Sequence, residues 1–389
     1  MSLMTPIPYG RQCITEDDID VVVKSLQSNF LTQGPTIEAF ENVFADYIGC
    51  KYAVAVSNGT AALHLSALAL GVNKNSKVIT SPITFAASAN CVLYCGGEVI
   101  FADIEEKSAV LDINKVRELL VNSPKGTFQG IIPIDFAGFP VNMESFRQLA
   151  DEFDCWLLED SCHSPGGFFM DSNGVQQNCG NGQYADLAIF SFHPVKHIAC
   201  GEGGMITTNN KELYEKLLRL RTHGITKDSN KFVKKTQKDG AWYYEMQELG
   251  YNYRLPDLNA ALGISQLQRA HEGIERRIEI ARKYDAAFEN TQIKTLHNPR
   301  GHAYHLYVIQ VDNRLGLYNY LKDNEIYAQV HYIPVHTLPY YQGLGWKNGD
   351  FPIAEAYYEK CLSLPMYPSL TDKQQDFVIN SIKNYYNGN

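Results

Sequence analysis

The chain has 389 residues, 45% of them hydrophobic, which is enough to bury a large core and to divide into two or three domains. Charged residues make up 20% and the formal net charge is −9, so no basic field exists to attract nucleic acid or an anionic membrane. No apolar run approaches the roughly 20 residues that span a bilayer, and nine cysteines with no CxxC spacing and no secretory leader point to reduced thiols in a cytoplasmic enzyme.

Met1-Ser2-Leu3, ahead of a second methionine at Met4, reads as an addition and is left out of the fold argument. Thr15, followed by Asp17 and Asp18, is a helix start; helices are expected over 15–28 and 36–48. Gly34-Pro35 breaks the pattern between them and predicts an extended stretch from Asn29 to Gln33. From Tyr52 onward short apolar strands alternate with longer helical segments. Strands are expected at 52–57, 77–81, 98–102, 130–134, 155–159, 187–192 and 204–208, with helices at 60–70, 85–95, 112–122, 142–153 and 210–221. Such alternation predicts an α/β fold, a mostly parallel seven-stranded sheet with helices on both faces. The last two strands are too close for a helical crossover, so they pair antiparallel or are joined by a wandering loop.

Residues 222–256 are mixed polar and aromatic, and Lys227 to Lys238 reads as a solvated loop, the alternative being a mobile excursion. A helical period over Leu258–Asn290 predicts a bridge to a smaller C-terminal α/β unit. That unit is expected to hold strands at 305–311 and 326–332 and helices at 315–323, 353–361 and 372–385. The domain expectation is therefore an N-terminal segment 1–35, a large domain 36–265 and a small domain 266–389.

Several motifs carry possible chemistry. Ser57 to His64 places a strand end, a glycine and a helix start in succession, which suits a phosphate site at free helix amides and equally an ordinary turn capped by Thr60. It is not a Walker loop, because no Gly-Lys-Ser/Thr follows. Asp160 ends the fifth strand, where ligands of open α/β sheets bind; it is placed either to meet a ligand or to cap the next segment. Glu159 points to the opposite face if the strand persists. Phe85 follows another strand end, as a ring on that crevice or as core. His163 is a supporting donor or a satisfied buried histidine. Lys196 lies in a turn between two apolar strands, after Ser191 and His193 and before Gly201, Gly203 and Gly204. A partly desolvated lysine there can hold a cofactor aldehyde as a Schiff base, the alternative being a surface lysine of a hairpin loop. His193 and His197 lack partners at ligand spacing, so no metal is expected; no Gly-x-Ser-x-Gly elbow supports a hydrolase.

Together these pieces resemble the DegT/DnrJ/EryC1 family of fold-type I, pyridoxal phosphate-dependent sugar aminotransferases. The resemblance runs from Tyr9 to about Leu370 and rests on Leu31-Thr32-Gln33-Gly34-Pro35, Ser57 to His64, Pro82 to Phe85, Glu159 to His163, Ser191 to Lys196, Gly201 to Gly204 and Gly250 to Leu255. Pro8 to Gln12, Ser191 to Lys196, Thr222 to Ile225 and Val330 to His336 look most like its pseudaminic acid branch. Ala199-Cys200 and the Asn58-Gly59-Thr60 turn depart from common variants of the branch without removing a catalytic group.

The resemblance implies pyridoxal 5′-phosphate as cofactor, Lys196 as its covalent anchor and proton shuttle, and Asp160 as partner of the pyridine nitrogen. Phe85 would stack on the ring, His163 would sit near its oxygen, and Gly59, Thr60 and Ser191 would hold the phosphate, with Asn252 reaching across from the second subunit of a homodimer. Sugar-nucleotide contacts would come from Tyr9, from Asn29, Phe30, Leu31 and Thr32, and from Gln329, Val330, His331 and Tyr332. The implied reaction moves the amino group of L-glutamate to C4 of a UDP-linked 4-keto-6-deoxy-N-acetylhexosamine. Rival readings are an aminotransferase for another nucleotide-linked keto sugar, a related sugar dehydratase, which carries histidine where Lys196 stands, and a noncatalytic cofactor sensor, which would need a DNA-binding module.

Overall fold

The computed structural model describes residues 6–234 and 240–387. The Met1-Ser2-Leu3 leader and residues 235–238 of the charged excursion lie outside them.

The central sheet has seven strands: β1 (Tyr52–Val56), β2 (Lys77–Thr80), β3 (Glu98–Phe101), β4 (Gly130–Ile132), β5 (Trp156–Asp160), β6 (Leu187–Ser191) and β7 (Gly204–Thr208). Their order across the sheet is β1-β7-β6-β5-β4-β2-β3. All neighbours run parallel except β7, which is antiparallel to β1 and β6. The strand interiors are buried without polar alternation, as in a sheet covered on both faces. Gly204 pairs with both Val56 and Ser191, bringing the ends of β1 and β6 to one place. A Cβ on Gly204 would stand 2.5 Å from the Asn58 carbonyl oxygen, so only glycine lets the chain leave β1 here.

Helices α1 (Glu16–Leu26) and α2 (Pro35–Ile48) precede the sheet, and α3 (Gly59–Ala69), α4 (Ala87–Tyr94), α5 (Ile113–Val121), α6 (Met143–Phe153) and α7 (Lys211–Arg221) are interleaved with its strands. The expected Leu258–Asn290 helix is two helices, α8 (Asp257–Gln268) and α9 (Ala270–Phe288), interrupted at Arg269. That residue donates to Asp18 of α1 from Nη2 at 2.7 Å. Asp18 is buried and also accepts from Ser265 Oγ at 2.7 Å and Gln266 Nε2 at 2.8 Å. Burial alone would raise this carboxyl, but hydrogen bonds from Arg269, Ser265 and Thr15 outweigh it and hold the pKa at about 2. A depressed carboxyl stabilises the fold above its unfolded pKa and ceases to as pH falls through the folded one. Asp18→Asn is therefore expected to cost about 2 kcal/mol at pH 7, with the deficit shrinking as pH falls from about 4 toward 2, measured by urea unfolding of both proteins.

A second unit holds the antiparallel strands Lys294–Thr295, Tyr307–Gln310 and Cys361–Leu364, with helices Arg314–Asp323 and Asp372–Asn387. Its core includes Ile280, Tyr284, Leu317, Leu321, Leu364 and Val378. The chain start joins this unit: Ile7–Pro8 pairs in parallel with Ile326–Tyr327, and the Met366 amide donates to the Tyr9 carbonyl at 2.9 Å. Arg277, only 1% exposed, donates from Nη1 to the carbonyls of Tyr304 at 3.0 Å, His305 at 3.3 Å and Met366 at 2.9 Å.

Three local expectations change. The Asn29–Gln33 stretch is bent, with Gln33 at φ 58°, because Asp257 draws the amides of Gly34 (2.8 Å) and Thr36 (3.1 Å) around the start of α8. The strand expected at 326–332 is regular only at Ile326–Tyr327; Gln329 then exchanges backbone bonds with Ser363, and the chain turns toward the central sheet. Cys361–Leu364 is a strand that follows helix Pro352–Lys360 with no intervening turn.

Candidate active site

Asp160, Gly59 and Ser191 converge on one cavity because strands of the central sheet end there, while Tyr9, His331 and Tyr332 reach it from the chain start and the second unit. The cavity is about 700 Å³, within the usual range for small-ligand sites. Asp160 is the last residue of β5. Its Oδ2 accepts from Ser88 Oγ at 2.7 Å and its Oδ1 from the Cys162 amide at 3.2 Å, so the carboxylate is held without a fixed cation. Ser88 is itself 2.9 Å from Thr84 Oγ1. Thr84 and Ser88 were not among the sequence candidates, although their i,i+4 spacing at the start of a helix puts both hydroxyls on one side.

At the end of β1 the chain enters α3, capped by Asn58 through a 2.8 Å bond to the Ala61 amide. Asn58, not Thr60, is the cap, which leaves Gly59 and Thr60 as the first two helical residues. Amides at this position lack partners inside the helix and carry the positive end of its dipole. Gly59 packs on Ser191: a Cβ would meet Ser191 Cβ at 3.0 Å and Oγ at 3.3 Å. Two open amides, two hydroxyls and a glycine-sized space form a cradle for a phosphate.

Lys196 lies in the turn between β6 and β7, its amide donating to the His193 carbonyl at 2.8 Å. The side chain is half-buried and lines the cavity. Burial pushes the amine below its ordinary range, partly offset by Cys162 and Asp160 beside it. Phe85 is 63% exposed and lines the cavity, where its ring can cover a flat ligand. Its ring centroid is 6.2 Å from that of Tyr332.

His163 is buried, and its Nδ1 accepts the Ala137 amide at 3.2 Å. That bond puts the proton of the neutral ring on Nε2, which faces Tyr332 Oη at 3.2 Å. Burial, then the nearby Lys196, holds its pKa well below the usual histidine range. His331 is likewise held low, at about 3, by burial and Lys196; its Nδ1 is 2.9 Å from Ser363 Oγ. Tyr9 packs against it with ring centroids 5.1 Å apart.

The cavity thus gathers Gly59, Thr60, Phe85, Asp160, His163, Ser191 and Lys196 with Tyr9, His331 and Tyr332. The other candidates lie off its wall in a single chain. Asn29, Phe30, Leu31 and Thr32 are exposed, the last bridging Pro256. Gln329 is exposed, with its backbone paired to Ser363, and Val330 packs against the hydrophobic cores. Asn252 is exposed and bridges Thr222. His64, Tyr253 and Glu202 also line the cavity; each lies within one of the sequence motifs but was not among the candidate site residues.

Glu159 is absent from the cavity wall and accepts the Gly180 amide at 3.0 Å beside Asp135 and Cys179, all three with ligand atoms within 4.8 Å of one another. Burial raises both carboxyls, and the negative charge of Asp135 raises Glu159 further.

An amine, a buried carboxylate, an anion cradle and an exposed ring around one space match the chemical outline of pyridoxal phosphate. Comparison with known proteins agrees. The model of the DegT/DnrJ/EryC1/StrS aminotransferase family matches residues 12–383. The chain is 38% identical to the spore coat polysaccharide biosynthesis protein SpsC of Bacillus subtilis over 98% of this chain and 97% of that one. It is 35% identical to the UDP-4-amino-4,6-dideoxy-N-acetyl-beta-L-altrosamine transaminase of Campylobacter jejuni over 97% of this chain and 96% of that one. Among solved structures, PseC of Helicobacter pylori, an aminotransferase involved in the biosynthesis of pseudoaminic acid, has a TM-score of 0.87 at 28% identity, covering 99% of this chain and 100% of that chain. The chain belongs to the DegT/DnrJ/EryC1/StrS family, whose members are sugar aminotransferases dependent on pyridoxal phosphate.

Proposed function

We propose that this protein transfers the amino group of L-glutamate to C4 of a UDP-linked 4-keto-6-deoxy-N-acetylhexosamine, UDP-2-acetamido-2,6-dideoxy-β-L-arabino-hex-4-ulose, a step of pseudaminic acid biosynthesis. The observation that carries the reading is the single cavity in which Lys196 and Asp160 face an anion cradle while Tyr9, His331 and Tyr332 form an aromatic wall. The Campylobacter and Helicobacter relatives support the choice of sugar.

When bound, pyridoxal phosphate supplies an aldehyde that condenses with amines and a ring that takes up electrons released at the adjoining carbon. The protein does the rest. Lys196 would hold the aldehyde and, when its amine is free, would take the proton from the glutamate α-carbon and return a proton to C4 of the sugar. Asp160 would pair with the pyridine nitrogen and favour its protonated form, so that the ring could accept those electrons. Gly59, Thr60 and Ser191 would hold the phosphate, Phe85 would cover the ring face, and His163 would sit near the ring oxygen. Nitrogen is conserved: glutamate leaves as 2-oxoglutarate and the ketone becomes an amine.

The reading includes a homodimer in which Asn252 of the partner subunit completes the phosphate site. Exposed apolar residues in the sequence just before Asn252 support it, with Trp242 81% and Leu249 74% exposed. Asn29, Phe30, Leu31 and Thr32, together with Gln329 and Val330, would meet the nucleotide sugar from the rim. The proposed division is an N-terminal segment 1–35 serving the substrate site, a cofactor-binding domain 36–265 and a small domain 266–389. Nine free cysteines support a cytoplasmic setting, and among the described residues no helix is long and apolar enough to cross a membrane.

The test is a panel of nucleotide-linked 4-keto sugars, with UDP or GDP carriers and both C5 configurations, assayed with L-glutamate. The UDP-L-arabino substrate is expected to give kcat/KM at least about tenfold above the others, about 1.4 kcal/mol of discrimination. Equal or better turnover of a GDP-linked or differently configured sugar would transfer the assignment to that sugar.

A further inference from the structure

His305 immediately precedes the small-sheet strand Tyr307–Gln310 by two residues and is 4% exposed. Its Nε2 lies 3.5 Å from Lys196 Nζ, a contact between residues 109 apart in the chain. Its ring centroid is 4.2 Å from that of His163 and 5.7 Å from that of His197. The backbone at this point has little freedom. Arg277 binds the His305 carbonyl, and the Leu306 amide donates to Ala137, whose own amide binds His163. His305 is thus carried by the second unit and presented to a lysine of the first.

We propose that His305 is a positioning residue for Lys196, its neutral Nε2 accepting a hydrogen bond from Nζ whenever that amine is free and aiming it into the cavity. The inference rests on the role of Lys196 proposed above. The groups that face His305 are Lys196, His163, His197 and Arg277, and none supplies a negative charge. A second positive charge in this setting is opposed by burial first and by Lys196 next, which keeps the imidazole uncharged. An uncharged acceptor can steady a lysine ammonium without removing its proton. It also restricts the rotation of a flexible four-carbon chain that must deliver a proton at one atom. Among the described residues, Nδ1 has no hydrogen-bond partner, so Lys196 Nζ is the polar contact that orients this ring.

The experiment uses the holoenzyme preincubated with L-glutamate, which frees the Lys196 amine, and follows reductive methylation of Lys196 against pH by peptide mass spectrometry. His305→Leu is expected to make Lys196 about tenfold more reactive below its midpoint, because the unsupported ammonium gives up its proton about one pH unit earlier. In the same variant kcat should fall about tenfold while KM for the keto sugar stays within about twofold. His305→Gln, whose amide oxygen can accept, should restore most of both. Unchanged Lys196 reactivity in His305→Leu, or a Gln variant as impaired as Leu, would overturn the proposal. Should His305→Leu fail to fold, nitrogen-15 NMR of the wild-type histidines decides: Nε2 of His305 is expected unprotonated at neutral pH, and an Nε2–H tautomer would overturn the assignment. Methylation of Lys196 at equal rates with and without glutamate would instead remove its anchoring role, leaving the His305 comparison to stand separately.

Discussion

Lys196→Ala is expected to lower turnover by at least about 10⁴-fold and to abolish the visible absorption of a covalently anchored cofactor. The magnitude follows from losing two functions at once: the covalent anchor, and the group that takes and returns the proton, which by itself is worth about 10²–10⁴-fold. Among the described residues lining the cavity no second lysine can substitute as the covalent anchor. Steady-state rates with glutamate and keto sugar, together with an absorption spectrum of the purified variant, check it. Retained activity would remove the proposed mechanism.

Asp160→Asn should leave the cofactor bound but reduce kcat by about 10²–10³-fold. The substitution is nearly isosteric, and an amide oxygen can still accept from Ser88 Oγ, now 2.7 Å from the carboxylate, so the wall of the cavity is preserved. What is lost is a fixed negative charge in a poorly hydrated site, where charge complementarity is worth several kcal/mol. Cofactor stoichiometry and kcat measured on the same sample separate the two effects. A variant with wild-type rate would contradict the pairing, and one unable to bind cofactor would make Asp160 a structural residue.

The parts of the site that were legible in the sequence sit where a strand stops. Asp160, Ser191 and Gly59 follow short apolar runs, and the parallel arrangement sends all such ends to one edge of the sheet. The phosphate turn was legible as a motif, but its capping residue was not: Thr60 and Asn58 are both good caps, and the observed choice leaves Thr60 inside the helix. Contacts across units left no trace. His305 reaches Lys196 only after the second unit folds back, and no local pattern around Tyr304-His305 distinguishes it from a core histidine. The same holds for Asp257, whose carboxylate bends the Gly34 linker from 223 residues away. The expected long helix at Leu258–Asn290 broke for a similar reason, because Arg269 is committed to Asp18 on a helix near the start of the chain. Cys361–Leu364 has only four residues directly after a helix, too few to establish a period.

The central claim is that nitrogen passes from glutamate to C4 of a UDP-linked keto sugar through Lys196 chemistry. Nitrogen-15-labelled L-glutamate, incubated with the holoenzyme and UDP-2-acetamido-2,6-dideoxy-β-L-arabino-hex-4-ulose, tests it in one NMR experiment. The account predicts a sugar labelled with nitrogen-15 at C4 and one equivalent of 2-oxoglutarate for each amine formed. An unchanged keto sugar, or a product that has lost oxygen without gaining the label, would contradict it.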